Sequence, residues 1–143
     1  MNSSAEIYKT VFSGNFSLIF TPIACTRWVL PNPTPPKINN GLKEGVYAEW
    51  YTDGTKSEER PYKDGQINGL WKSWYGNGNV LSEIDFKKGV KDGSAIHLAK
   101  DGGKEYEQIF KNGKLDGVQT EWYENGNKKI SKDYKNGKLD GVQ

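Results

Sequence analysis

The chain has 143 residues, the size of a single domain. Its formal net charge is only +2, and beyond the first forty residues Lys, Asp and Glu are interspersed, which argues against a nucleic-acid-binding role. Hydrophobic residues make up 34% of the chain, but aromatic residues reach 13% and glycines number 17, which favours aromatic strands joined by glycine turns.

The N-terminal segment, residues 1–30, is the most apolar part of the chain. We expect it to cap the repeats that follow, since terminal caps are general in repeat arrays. The run from Phe16 to Cys25 loosely resembles a bacterial lipoprotein signal, so Cys25 is a candidate lipidation site or a small buried side chain. The run is shorter than the ~20 residues that span a membrane. As the single cysteine, Cys25 also excludes an internal disulfide.

A proline-rich stretch predicts a stiff extended spacer over residues 31–38. A repeat of 24 residues follows it and fills the rest of the chain. The predicted units are 39–62, 63–86, 87–110, 111–134 and a partial unit, 135–143. The partial unit either closes the sheet as an edge strand or marks the chain as a fragment of a longer array; the unchanged repeat sequence favours the fragment.

Each unit carries an Asp-Gly or Asn-Gly pair between two strand-like runs, which is the strongest short-range signal for a β-hairpin. We predict a type I′ turn at each pair, with turn glycines Gly54, Gly78, Gly102 and Gly126. The predicted fold class is all-β: an elongated single-layer antiparallel β-meander of tandem 24-residue hairpins. Period-two alternation predicts that one face is aromatic and the other polar. The predicted structural repeat core is Trp50, Trp74, Leu98, Trp122, Tyr62, Phe86, Phe110 and Tyr134.

The glycines and aromatic residues that recur at fixed repeat positions resemble the MORN repeat, and more specifically the bacterial variant of YwqK-family antitoxins. The motifs that carry the resemblance are Gly69–Gly78, Gly117–Gly126 and Tyr134–Gly141. The resemblance implies an elongated, gently twisted sheet that serves as a protein or lipid interaction surface, with an antitoxin-like role. The third unit departs from the pattern, because Leu98 and Ala99 replace its aromatic pair.

Catalytic chemistry has little support in the sequence. His97 is the only histidine, and it falls on the side of its strand opposite Ile96 and Leu98, where a solvent-facing role is expected. The carboxylates recur at the repeat period, which indicates turn and edge roles, and the glycines are not followed by helical patterns. We therefore predict a protein that is not an enzyme, with no catalytic residue, metal site or cofactor.

Recognition is the remaining function. We predict a non-enzymatic protein-interaction or scaffold module with a protein partner, in the cytoplasm or the bacterial cell envelope. Three alternatives stay open: an envelope-associated lipoprotein tethered to the membrane through Cys25, a subunit of a larger assembly, and a carbohydrate-binding surface. Tyrosine and tryptophan are enriched in interface hot spots, so the predicted partner-binding residues are Tyr47, Tyr51, Trp71, Tyr75 and Tyr123.

Overall fold

The computed structural model describes residues 35–142, so the predicted apolar cap and Cys25 lie outside the described residues. This part of the chain contains twelve β-strands and no helix. In chain order the strands are β1 (Lys37–Asn39), β2 (Leu42–Trp50), β3 (Lys56–Lys63), β4 (Gln66–Ile67), β5 (Gly69–Trp74), β6 (Val80–Lys87), β7 (Val90–Leu98), β8 (Lys104–Lys111), β9 (Lys114–Leu115), β10 (Gly117–Trp122), β11 (Lys128–Lys135) and β12 (Lys138–Val142). The predicted all-β class is confirmed.

The strands form one open antiparallel sheet in the order β1-β2-β3-β5-β6-β7-β8-β10-β11-β12. The short strands β4 and β9 pair with β3 and β8 and continue into β5 and β10, so the path follows the chain without a crossover. This confirms the predicted meander of hairpins. β1 begins at Lys37, inside the range predicted as the spacer.

The sheet has almost no core of its own. Among the described residues only Ala48 and Ala95 are buried apolar side chains, and Thr120 is the one buried polar residue. A single layer of strands cannot bury one of its faces against the other, so most side chains remain partly open to solvent.

Type I′ turns lie at the connections between hairpins and not at the corners inside them, which corrects the predicted positions of these turns. Two-residue turns connect the strands at Asn40-Gly41, Asp64-Gly65, Lys88-Gly89, Asn112-Gly113 and Asn136-Gly137, and both residues of each pair have positive φ. Positive φ at both central residues is the requirement of the type I′ turn. We call the long side of the sheet that carries these turns the connection edge.

The corners within the hairpins have a different geometry. In the first of them only Gly54 has positive φ, and Asp53 does not. The Gly54 amide donates to the Tyr51 carbonyl (3.0 Å), and the Tyr51 amide donates to the Thr55 carbonyl (2.8 Å). This is a three-residue loop with a bulge, and the Asp53 carboxylate completes it by accepting from the Thr55 amide (2.8 Å). We call the side that carries these corners the corner edge.

Candidate interaction surfaces of the repeat sheet

The two columns of predicted core aromatics lie on opposite faces of the sheet, so the prediction of one aromatic and one polar face is wrong. Directly paired residues of antiparallel strands point to the same side. Tyr62 pairs with Gly45, whereas Trp50 shares its side with Val46, one residue out of phase. We call the face with Trp50, Trp74, Leu98 and Trp122 the front face, and the face with Tyr62, Phe86, Phe110 and Tyr134 the back face.

Each of the four predicted core aromatics of the back face lies opposite a glycine. The pairs are Tyr62 with Gly45, Phe86 with Gly69, Phe110 with Gly93 and Tyr134 with Gly117. A Cβ added at Gly45 would meet no atom within 4 Å, and one added at Gly69 would meet only Pro61, so contact with the ring is not what requires glycine there. All four glycines have positive φ, a backbone conformation that is unfavourable for residues with a side chain.

Tyr47 and Trp71, two of the predicted partner-binding residues, are held together on the back face by Arg60. The Arg60 guanidinium lies 5.7 Å from the Tyr47 ring centroid and 5.5 Å from that of Trp71. Arg60 also forms two hydrogen bonds with the Glu58 carboxylate, which raise the pKa of the guanidinium. The Tyr47 hydroxyl donates to Glu49, and this bond raises the pKa of the phenol. The sequence interpretation missed Arg60, because a lone arginine in a polar strand gives no signal of its own.

Trp71 packs against the next strand, with its ring centroid 5.5 Å from that of Phe86. Its indole N–H is buried and has no hydrogen-bond acceptor among the described residues. The half-buried ring therefore has a structural contact within its own repeat.

Lysine side chains cover two of the front-face tryptophans, Trp74 and Trp122. Lys56 lies over the Trp74 ring at 5.3 Å, and Lys104 lies over the Trp122 ring at 5.4 Å. Lys56 pairs with Glu59 at 2.6 Å, and Lys104 pairs with Glu107 at 2.8 Å. These partly exposed pairs and cation–π contacts each contribute modestly, but they neutralise the charge across the centre of the face.

Exposed aliphatic side chains form a row on the front face, contributed by the first strand of three of the hairpins. Val46, Leu70 and Val118 occupy the same position of their repeats and are 51%, 38% and 45% exposed. Pro61 lies opposite Val46 in the sheet. In the third repeat the position is Ser94, which hydrogen-bonds to Asp85 at 3.0 Å and interrupts the row. We call Val46, Leu70 and Val118 the aliphatic row; the sequence interpretation assigned it no role.

The predicted partner-binding tyrosines Tyr51, Tyr75 and Tyr123 lie along the corner edge, one or two repeats apart. The Tyr51 hydroxyl donates to the Trp74 carbonyl at 2.7 Å, in the next repeat, and the Tyr75 hydroxyl donates to the Leu98 carbonyl at 2.9 Å. Burial of its hydroxyl raises the pKa of Tyr75, with smaller contributions from Glu105 and Asp101. Tyr51 and Tyr75 therefore connect neighbouring hairpins. Tyr123 is 53% exposed and has no hydrogen bond of this kind within the described residues.

A cavity lies between the third and fourth repeats at the same edge. Its volume is about 280 Å³, and Ala99, Trp122 and Tyr123 are part of its lining. Ala99 occupies the repeat position of Tyr51 and Tyr75. The departure of the third unit from the repeat pattern was the signal in the sequence that could have revealed this cavity.

His97 lies on the back face, as the alternation predicts, because it pairs with Ser82 and Tyr106. Its ring stacks on Tyr106 with 4.9 Å between centroids, and its Nδ1 lies 2.9 Å from the Glu105 carboxylate. Within residues 35–142 there is no group of three or more His, Cys, Asp and Glu side chains placed to hold a metal ion. No helix in the described range is long and apolar enough to cross a membrane.

Comparison with known protein families gives one match. The family described as MORN repeat variant matches residues 43–64, 67–88 and 115–136, which fall in the first, second and fourth hairpins. The third hairpin, which contains Leu98 and Ala99, is not among the matched segments. None of the curated proteins matches the chain.

Proposed function

Because the chain is a MORN repeat protein, we propose that it is a non-enzymatic module that binds a partner protein through the front face of its sheet. MORN repeats are generally modules for protein or membrane interaction. The observation that carries the proposal is the aliphatic row, whose three side chains recur at one repeat position and are all partly open to solvent. Aligned apolar side chains on a polar surface are typical of an interaction site.

The spacing of the row fits an extended partner surface. Each repeat adds two strands at about 4.8 Å each, so Val46 and Leu70 are about 10 Å apart, and Leu70 and Val118 are about 20 Å apart. Several apolar side chains of one partner are needed to cover a row of that length. The paired charges beside it form a polar rim that contributes to specificity more than to affinity.

The charge of the repeats favours a protein over a lipid surface. Beyond the first forty residues Lys and Arg are balanced by Asp and Glu, whereas association with anionic lipid depends on an excess of basic side chains. On the front face Lys56, Lys72 and Lys104 are each paired with a glutamate. A neutral face with an apolar row suits a protein surface better than an anionic membrane.

Two charge-matched double variants test the proposal. Leu70→Glu/Val118→Glu places two carboxylates in the aliphatic row, and Gln108→Glu/Gln119→Glu adds the same charge on the back face. We expect quantitative affinity capture from native cells to lose a partner with the front-face variant and to retain it with the back-face variant. Equal capture by both folded variants contradicts the choice of face, and capture of no partner by the wild type contradicts the function.

An antitoxin-like role stays a prediction from the resemblance. It requires that the captured partner be toxic, so co-expression of that partner with and without the chain tests it directly through growth. The lipoprotein alternative depends on Cys25, outside the described residues, and an acylated N-terminus at Cys25 in the native protein would establish it. Light scattering, which measures the mass of the particle in solution, tests whether the chain is a subunit of a larger assembly. Binding to a glycan array tests whether its surface binds carbohydrate.

A further inference from the structure

The junction between the third and fourth repeats lacks the side-chain hydrogen bonds that are present at the preceding junction, between the second and third repeats. There, Tyr75 donates to the Leu98 carbonyl, and Asn77 and Asn79 both donate to the Lys100 carbonyl at 3.1 and 2.9 Å. One repeat later these three donors are replaced by Ala99, Asp101 and Gly103, none of which has a side-chain donor. Within the described residues no side chain donates to the corresponding carbonyls of Trp122 and Glu124.

The backbone at Ala99 keeps the geometry that positions a tyrosine in the other repeats. The Ala99 amide donates to the Gly103 carbonyl at 2.7 Å and the Gly102 amide donates to the Ala99 carbonyl at 2.8 Å. The corresponding bonds at Tyr75 are 2.8 and 2.9 Å. The corner is therefore intact, and the cavity of about 280 Å³ borders Ala99, the position at which the first two repeats carry a tyrosine.

The lining of the cavity suits an aromatic side chain with basic neighbours. Trp122, Tyr123 and Tyr106 supply aromatic surface. The charged lining comprises four carboxylates and two lysines: Asp101, Glu105, Glu121, Glu124, Lys104 and Lys129. Both lysines have carboxylate partners, Glu107 for Lys104 (2.8 Å) and Glu121 for Lys129 (3.6 Å), so the field at the mouth of the cavity is negative.

We propose that this cavity is a recognition site for a tyrosine side chain of the partner protein, flanked in the partner by basic residues. The ring takes the place that Tyr51 and Tyr75 take at the preceding junctions, and its hydroxyl donates to the Trp122 carbonyl. Asp101 and Glu124, which form no ion pair with any described residue, receive the flanking basic side chains. The inference rests on the proposed function, because it takes the occupant from a partner protein.

Nuclear magnetic resonance titration of the full chain with defined probes tests the site. The probes are p-cresol against toluene, and the end-blocked peptides Arg-Tyr-Arg against Arg-Phe-Arg and Glu-Tyr-Glu. We expect saturable shifts at Ala99, Trp122 and Tyr123, with Arg-Tyr-Arg bound about three- to ten-fold more tightly than Arg-Phe-Arg, the effect of one added hydrogen bond. Glu-Tyr-Glu should bind more weakly than Arg-Tyr-Arg, and added salt should reduce that difference.

Two substitutions at one position provide the matched control. Ala99→Tyr fills the cavity with the side chain that the repeat pattern supplies, and it should abolish the shifts, whereas Ala99→Ser leaves the cavity open and should retain them. Equal binding of the tyrosine and phenylalanine peptides, unchanged binding by a folded Ala99→Tyr variant, or shifts away from the cavity would overturn the site. The N-terminal segment carries one tyrosine, Tyr8. Tighter peptide binding by a Tyr8→Phe variant would show that this tyrosine competes for the cavity, and would overturn the assignment to a partner.

The probe titration is independent of the aliphatic row. If the cavity binds no probe and the front-face variant still loses its partner, only the tyrosine site fails. If the cavity binds Arg-Tyr-Arg and both charge variants capture the partner equally, the proposed front-face contact fails instead.

Discussion

The Tyr75 hydroxyl donates a hydrogen bond of 2.9 Å to the carbonyl oxygen of Leu98, one repeat further along the chain. The bond lies at the corner edge, beyond the last paired residues of β6 and β7, Ser82 and His97. In a repeat protein each unit is stabilised mainly through its neighbours, so a contact between units acts on the cooperativity of the whole sheet. Tyr51 makes the same connection between the first two hairpins.

Tyr75→Phe should lower the free energy of unfolding by about 0.5–1.5 kcal/mol, the net contribution of one hydrogen bond. The ring and its packing are retained, so the loss reports the hydroxyl alone. Urea denaturation followed by circular dichroism measures it. Tyr123→Phe is the control, because its hydroxyl makes no corresponding bond within the described residues, and an equal loss in both variants would contradict the connection.

Ala99→Tyr should raise the free energy of unfolding by a similar amount, about 0.5–1.5 kcal/mol. The introduced hydroxyl can reach the Trp122 carbonyl because the corner at Ala99 has the same backbone hydrogen bonds as the corner at Tyr75. Thermal and urea denaturation give the difference from the wild type. Ala99→Phe is the control for added apolar surface; a gain as large with phenylalanine as with tyrosine would mean that the hydroxyl makes no bond.

Gly93→Ala should destabilise the sheet by about 1–3 kcal/mol, the cost of forcing a side chain into an unfavourable backbone conformation. Gly93 has φ +126°, and an added Cβ would lie 2.7 Å from the Cβ of Asp85. Gly76→Ala is the matched control, since no atom lies within 4 Å of its added Cβ and its φ is not positive, so its effect should stay within about 0.5 kcal/mol. Equal effects of the two substitutions would show that the backbone of β7 at Gly93 is not constrained.

The stabilisation by Tyr75 should depend on pH in the alkaline range. Its pKa in the folded chain is raised above 10.0, first by burial of the hydroxyl and then by Glu105 and Asp101. The unfolded chain releases the phenolic proton more easily, so the contribution is full below pH 10.0 and is lost as pH rises through the folded pKa. Urea midpoints of wild type and Tyr75→Phe across this range should therefore converge at high pH; a constant difference would contradict the shift.

The repeat period and the hairpin order were predictable from the sequence because they depend on local signals, glycine spacing and period-two alternation. The pairing register between the two strands of a hairpin was not predictable in this way. Alternation gives the faces of each strand separately, but the three-residue corner and the bulge between Glu49 and Trp50 decide that Tyr62 pairs with Gly45. That one-residue offset places Tyr62 on the back face and Trp50 on the front face.

The prediction of type I′ turns at the corners was wrong for a related reason. Asp-Gly and Asn-Gly pairs occur both at the corners and at the connections, and both kinds of site use them differently. At a corner the Asp53 or Asn125 side chain accepts a backbone hydrogen bond, whereas at a connection Asp64 or Asn112 itself adopts positive φ. Residue type alone does not separate these two roles.

Photo-crosslinking from neighbouring residues on opposite faces tests the proposed contact most directly. Val118 lies on the front face and Gln119 on the back face, so 4-benzoylphenylalanine at either position samples the same strand from different sides. In native cells we expect a discrete protein adduct from position 118 and from Leu70, and none from position 119. Adducts from 119 alone, equal adducts from both faces, or no protein adduct from 70 and 118 would contradict partner binding through the front face.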